Sequence, residues 1–166
     1  MQRESNERAK RAMIALRAMG VNDEDPTKVV INISKEDEHE FIYINSHIGS
    51  RIQPHQKDGV QFMWKALTTD HHDLQGCLLS HTMGLGKTMQ VITLMVTMAE
   101  VSKSLNVKRS CQIPAALRRS QSLVLCPPAL LNNWHDEFAI WVRGNVTMLN
   151  PIEDSLTPDT GARSIW

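Results

Sequence analysis

The chain has 166 residues, enough for one domain with short additions at its ends. Its 42% hydrophobic and 22% charged content excludes wholesale disorder, and its longest apolar runs fall far short of the ~20 residues a membrane span needs. Eighteen basic residues balance eighteen acidic ones, so no global basic excess announces nucleic acid, although a local patch would suffice to hold it. Cys77, Cys111 and Cys126 lack C-x-x-C spacing and read as reduced thiols, two of them inside apolar strands. His71, His72, Asp73 and Cys77 have no recognisable metal-ligand spacing. The opening residues do not form a signal peptide, so a soluble, non-secreted protein is expected.

In chain order, residues 4 to 19 carry one apolar stripe, Ala9, Ala12, Met13, Leu16 and Met19, and Gly20 is placed to stop that helix. Two short strand candidates follow, Lys28–Ile33 and Glu40–Ile44, so residues 1–50 read as an accessory segment. Pro54 suits a helix start, and Val60, Met63, Trp64 and Leu67 recur at helical spacing. The apolar run Gly76–Ser80 leads into a glycine-rich turn, and a helix from Lys87 to about Ser102 is apolar on most sides, which marks a buried helix. A basic connection spans 103 to 121 and reads as a solvated flexible insertion, with a phosphate-contacting DNA path as the alternative. Ser122–Cys126 is a second apolar strand candidate, stopped by Pro127 and Pro128. The next helix places Leu130, Leu131, Trp134, Phe138, Trp141 and Val142 on one face, with the tryptophans as core anchors rather than base-stacking residues. Val146–Leu149 is a third strand candidate, and the tail 151–166 is expected to be poorly ordered. This alternation predicts an α/β fold, a parallel sheet with crossover helices.

The chemistry concentrates in Leu78-Leu79-Ser80-His81-Thr82-Met83-Gly84-Leu85-Gly86-Lys87-Thr88. A loop that ends in Gly-Lys-Thr between a strand and a helix is the setting of a Walker A phosphate loop. Amide N–H groups at a helix start face an anion, aided by the helix dipole. Gly84 and Gly86 permit positive φ and close approach. Lys87 supplies a mobile charge for the β- and γ-phosphates, and the Thr88 hydroxyl can ligate Mg²⁺. The strict pattern wants glycine where His81 stands. A glycine turn with a solvated lysine is the plain structural alternative, but a lysine in a first helical turn is electrostatically unfavourable unless an anion compensates it.

Met83-Gly84-Leu85-Gly86-Lys87-Thr88 with Gln90 resembles motif I of the SWI/SNF-type chromatin-remodelling ATPases, a branch of helicase superfamily two. Members of the ATRX-like branch also lack the first glycine. Ile52-Gln53-Pro54-His55-Gln56-Lys57-Asp58-Gly59-Val60 resembles the segment upstream of motif I, and Leu123-Val124-Leu125-Cys126-Pro127-Pro128 with Leu130 to Trp134 resembles motif Ia. The three motifs stand in the family's order across residues 51 to 142.

The resemblance implies an incomplete RecA-like P-loop domain over residues 51–150, with ATP and Mg²⁺ as ligands. Gln56 would read the adenine edge, and His81, Thr82, Met83, Gly84, Leu85, Gly86, Lys87 and Thr88 would hold the phosphates. Pro127 and Pro128 would shape a loop at the DNA backbone; as plain structure, they stop a strand and start a helix. The role of Gln90 is left unassigned. The partners implied are DNA, chromatin or a nucleosome, and a second motor lobe, in the nucleus. No D-E-x-H acid box follows motif Ia, and Asp37-Glu38-His39 precedes the loop, so the chain is expected to be a piece of a longer motor with slight turnover of its own. A non-catalytic P-loop interaction or sensor module is the alternative function; a GTPase would want an N-K-x-D signature, which is missing.

Overall fold

A computed structural model describes residues 2–18, 28–33, 38–68, 76–80, 82–118 and 122–142. Six α-helices occur among them: α1 Gln2–Ala18, α2 Ser46–Gly49, α3 Pro54–Thr68, α4 Lys87–Ser102, α5 Val107–Ser110 and α6 Leu131–Trp141. Single 3₁₀ turns at Ala115–Leu117 and Pro128–Leu130 lead into the segments that follow them. The candidate strand 146–149, the tail 151–166 and the residues His71, His72 and Asp73 lie outside the described residues.

The start of α3 follows from its sequence. Pro54 cannot donate a hydrogen bond and loses nothing in the first turn. Gln56, three residues after Gln53, turns its Oε1 back to accept the Gln53 N–H at 3.0 Å, the returning half of a capping box. Helix α4 is the apolar axis of the molecule, with Met89, Ile92, Leu94, Val96 and Val101 buried. Its buried hydroxyls are satisfied within the helix, since Thr93 and Thr97 donate to the carbonyls of Met89 and Thr93 at 2.7 and 2.8 Å. Helix α6 contributes Phe138, while Trp134 and Trp141 pack half-buried against the same core. Trp134 and Phe138 stand with ring centroids 6.2 Å apart, and Trp141 Nε1 donates to Glu137 Oε2 at 2.6 Å.

The parallel sheet expected from the alternating pattern is contradicted: no β-strand forms among the described residues. An isolated antiparallel bridge joins Val30 to Tyr43, with Ile31 N–H donating to Ile42 O at 2.9 Å and Ile44 N–H to Val29 O at 2.8 Å. Residues 76–80 and 122–126 take no regular secondary structure, and no backbone bond of theirs to another described residue joins them into a ladder. The physical reason lies in how the apolar side chains divide. Leu79 and Val124 pack against the helical core, whereas Leu78, Leu123 and Leu125 are 83%, 62% and 78% exposed. Each segment is therefore covered on one side, while an inner strand of a parallel sheet is covered on both and bonded on both edges. Cys77 and Cys126 lie in these two segments and so not in strands, the first exposed and the second half-buried.

Residues 28–33 and 38–48 share a core with α3 and α4. Ile31, Ile42, Ile44 and Ile48 are buried in one cluster with Val60, Met63, Trp64, Ile92 and Ile113. A polar network ties this segment to the basic connection. Asn32, buried inside an apolar run, donates through Nδ2 to Glu40 O at 2.8 Å and to Gln112 Oε1 at 2.7 Å. Its Oδ1 accepts the Ile42 N–H at 2.8 Å. Gln112 Nε2 donates to the carbonyls of Glu40 and Lys108 at 2.9 and 2.8 Å. On the surface above, Asn106 and Arg109 both bond Glu40 Oε2, at 2.9 and 3.1 Å. The Asn106 bond, against a smaller opposing effect of desolvation and aided by Arg109, holds the Glu40 carboxyl below its ordinary value. The connection 103–118 is thus shaped by α5, a 3₁₀ turn and this network rather than being a free insertion.

Because Asn32 serves three partners from a buried position, Asn32→Ala strands the Ile42 N–H and a Gln112 oxygen. The expected loss is roughly 1–3 kcal/mol in urea denaturation, and a loss within error of zero would show that the network is not a buried joint.

Candidate phosphate-binding loop

Gly84 and Gly86 adopt φ of 84° and 73° and are the described residues with positive φ. An L side chain is disfavoured there, so the glycines serve a requirement of the loop itself. A side chain at Gly84 would meet nothing within 4 Å: the approach to that backbone is open. Thr82, Met83, Gly84 and Leu85 are exposed, with Met83 94% exposed at the tip. Gly86 caps α4 in the left-handed conformation without a side-chain hydrogen bond, and the first turn of α4 holds no acidic residue. Gly86 has no side chain, so the N-cap position of this sixteen-residue helix supplies no side-chain cap to its first amides.

Lys87 Nζ reaches back across the loop and donates to Thr82 O at 2.9 Å. This ties an ammonium at the end of the turn to a carbonyl at its beginning. Thr88 follows in the first turn of α4 and is half-buried. Behind the loop, Gln56 Nε2 donates to Leu85 O at 3.3 Å. A Cβ at residue 86 would meet the end of that same side chain and displace it, while the positive φ is what requires glycine there. The structure thus brings Gln56, Thr82, Met83, Gly84, Leu85, Gly86, Lys87 and Thr88 together around one turn. His81 lies outside the described residues.

Pro127 and Pro128 stand apart from this cluster in the chain, directly after residues 122–126. Both are exposed, and Pro127 O accepts the Leu130 N–H at 2.9 Å to open the 3₁₀ turn before α6. Sequence reasoning did not assign Gln90, which is wholly buried against Gly59 and donates through Nε2 to Leu85 O at 3.2 Å. The signal available was a glycine, Gly59, in the middle of a helix, where it is unfavourable by up to about 1 kcal/mol relative to alanine unless something must approach closely.

The chain matches the SNF2-related domain over residues 55–154. Among curated relatives it is similar to the DNA repair and recombination protein RAD54-like of Drosophila willistoni, 27% identical over 125 residues, 75% of this chain and 14% of that protein. It is also similar to the transcriptional regulator ATRX of Homo sapiens, 33% identical over 123 residues, 71% of this chain and 4% of that protein. The RAD54-like protein of Drosophila yakuba is 29% identical over 136 residues, covering 82% and 15% of the two chains. The chain therefore spans a small part of the length of the relatives it matches. With the phosphate-loop motif, its two flanking motifs in order and a family match over more than half its length, the chain belongs to the SNF2-related family, within the SWI/SNF group of helicase superfamily two.

Proposed function

We propose that this chain binds ATP with Mg²⁺ and forms the nucleotide-holding part of a DNA-dependent, chromatin-remodelling ATPase of the nucleus. The observation that carries this reading is the turn itself: two left-handed glycines, an open backbone approach and an ammonium drawn over the start of a sixteen-residue helix. A polyphosphate would take the amides of residues 84–88, for which the helix dipole favours an anion. Lys87 would exchange its bond to Thr82 O for phosphate oxygens, and the Thr88 hydroxyl would serve Mg²⁺.

Gln56 makes one bond at each end of its amide, and such a group has two N–H donors and two acceptor lone pairs. The remaining N–H and lone pair match the N7 acceptor and N6 donor of adenine. Guanine presents O6 where adenine presents the N6 amine, so a preference for ATP over GTP follows. Pro127 and Pro128, exposed at the start of the 3₁₀ turn before α6, are assigned to the DNA backbone path. Turnover by these 166 residues alone is expected to be slight. The acid pair that follows the loop in sequence, Asp136 and Glu137, is carried on α6 and engaged with His135 and Trp141.

Titration of Mg·ATP into the full chain, followed by calorimetry with GTP as competitor, tests the proposal. Saturable binding with ATP preferred supports it. No saturable binding of either nucleotide contradicts it and favours a non-catalytic interaction module.

A further inference from the structure

Gln90 lies in the first turn of α4, is 0% exposed, and its Oε1 has no hydrogen-bond partner among the described residues. A buried amide oxygen without a partner is an uncompensated desolvation. Rotating the amide does not repair it, because the oxygen would then face the Leu85 carbonyl, acceptor against acceptor. The orientation is fixed by the one bond the group does make, Nε2 to Leu85 O at 3.2 Å. The space is fixed by Gly59 of α3: a Cβ there would collide with Gln90 Oε1 and lie 3.1 Å from its Cδ. A leucine or methionine would fill the same volume without an orphaned oxygen, so apolar packing does not account for a glutamine here.

Leu85 O accepts from two amides at once, Gln90 Nε2 from α4 and Gln56 Nε2 from α3. A carbonyl oxygen has two lone pairs, and these two donors engage both and hold the carbonyl toward α3 and α4. A carbonyl facing phosphate would repel it, whereas the neighbouring N–H groups attract it. We propose that Gln90, seated in a socket made by Gly59, is a positioning residue for the triphosphate, acting through Leu85 O without touching the nucleotide. This rests on the ATP-binding reading above and adds a residue to it.

The test uses the full chain, Mg·ATP and inorganic tripolyphosphate as separate probes, and thermal melting. Gln90→Met removes the donor and the orphaned oxygen while keeping the volume. The expected result is a melting temperature at or above that of the parent, with affinity for both probes lowered by roughly three- to tenfold, the loss of one neutral hydrogen bond. Equal losses for ATP and tripolyphosphate place the effect at the phosphates rather than at adenine. Gly59→Ala should lower both melting temperature and affinity, and adding Gln90→Ala should restore melting but not affinity. Unchanged affinity in Gln90→Met, or affinity that falls only in step with melting, overturns the inference while leaving the ATP reading intact. A parent chain that binds neither probe overturns both.

Discussion

Lys87→Ala should weaken Mg·ATP binding by roughly ten- to a hundredfold while leaving the fold as stable as before or slightly more so. The two halves of this expectation have different origins. In the free chain Lys87 makes an exposed bond to Thr82 O, and its positive charge sits at the positive end of the α4 dipole. Removing it relieves a small repulsion, a few tenths of a kcal/mol at most for an exposed group. Once a triphosphate is bound, the same ammonium forms charge-assisted bonds worth about 1.5–3 kcal/mol, and about 1.4 kcal/mol is tenfold in affinity. Calorimetric titration and thermal melting of the same two proteins separate the effects. Equal ATP affinity in the variant and the parent would mean that the ammonium over the loop serves only the fold.

Ile42→Ala should destabilise the whole molecule by about 2–5 kcal/mol, as much as a substitution in α4 itself. Ile42 is 2% exposed and belongs to the cluster that holds Val60, Trp64 and Ile92. Deleting most of its side chain forfeits burial energy and leaves a cavity that close-packed neighbours fill only in part. Against the ~5–15 kcal/mol total typical of a domain, that is a large share. Trp64 of α3, 3% exposed, reports from the far side of the same cluster. Urea denaturation followed by tryptophan fluorescence should show a midpoint moved well to lower urea. A midpoint that stayed in place would mean that residues 28–33 and 38–48 are an appendage and that the core of α3 and α4 stands without them.

The parts of this molecule that were legible in the sequence are those written in local spacing. The helical period of Val60, Met63, Trp64 and Leu67 placed α3, and the unbroken apolar stretch after Lys87 gave the bounds of α4, Lys87–Ser102. The positive φ of Gly84 and Gly86 was readable because a glycine in such a turn answers a local demand of torsion. The sheet was misread because an apolar run such as Leu123-Val124-Leu125 records hydrophobicity and not the presence of a bonded neighbour. Here the runs lie on helices with one face only.

What stayed hidden are the contacts between amides far apart in the chain. Asn32 and Gln112 meet across 80 positions, and Gln56 reaches Leu85 across 29. No periodicity encodes such a pairing. Asn32 within Val-Val-Ile-Asn-Ile and Gly59 within an apolar helix were the visible traces, each a residue that contradicts its local setting and so points to a distant partner.

ATP binding at this loop requires that a polyphosphate take the amides at the start of α4. Amide hydrogen exchange of the full chain with and without saturating Mg·ATP reads this at the backbone. Slowed exchange concentrated at residues 83–88 is the result expected; exchange there that is the same with and without nucleotide would contradict it.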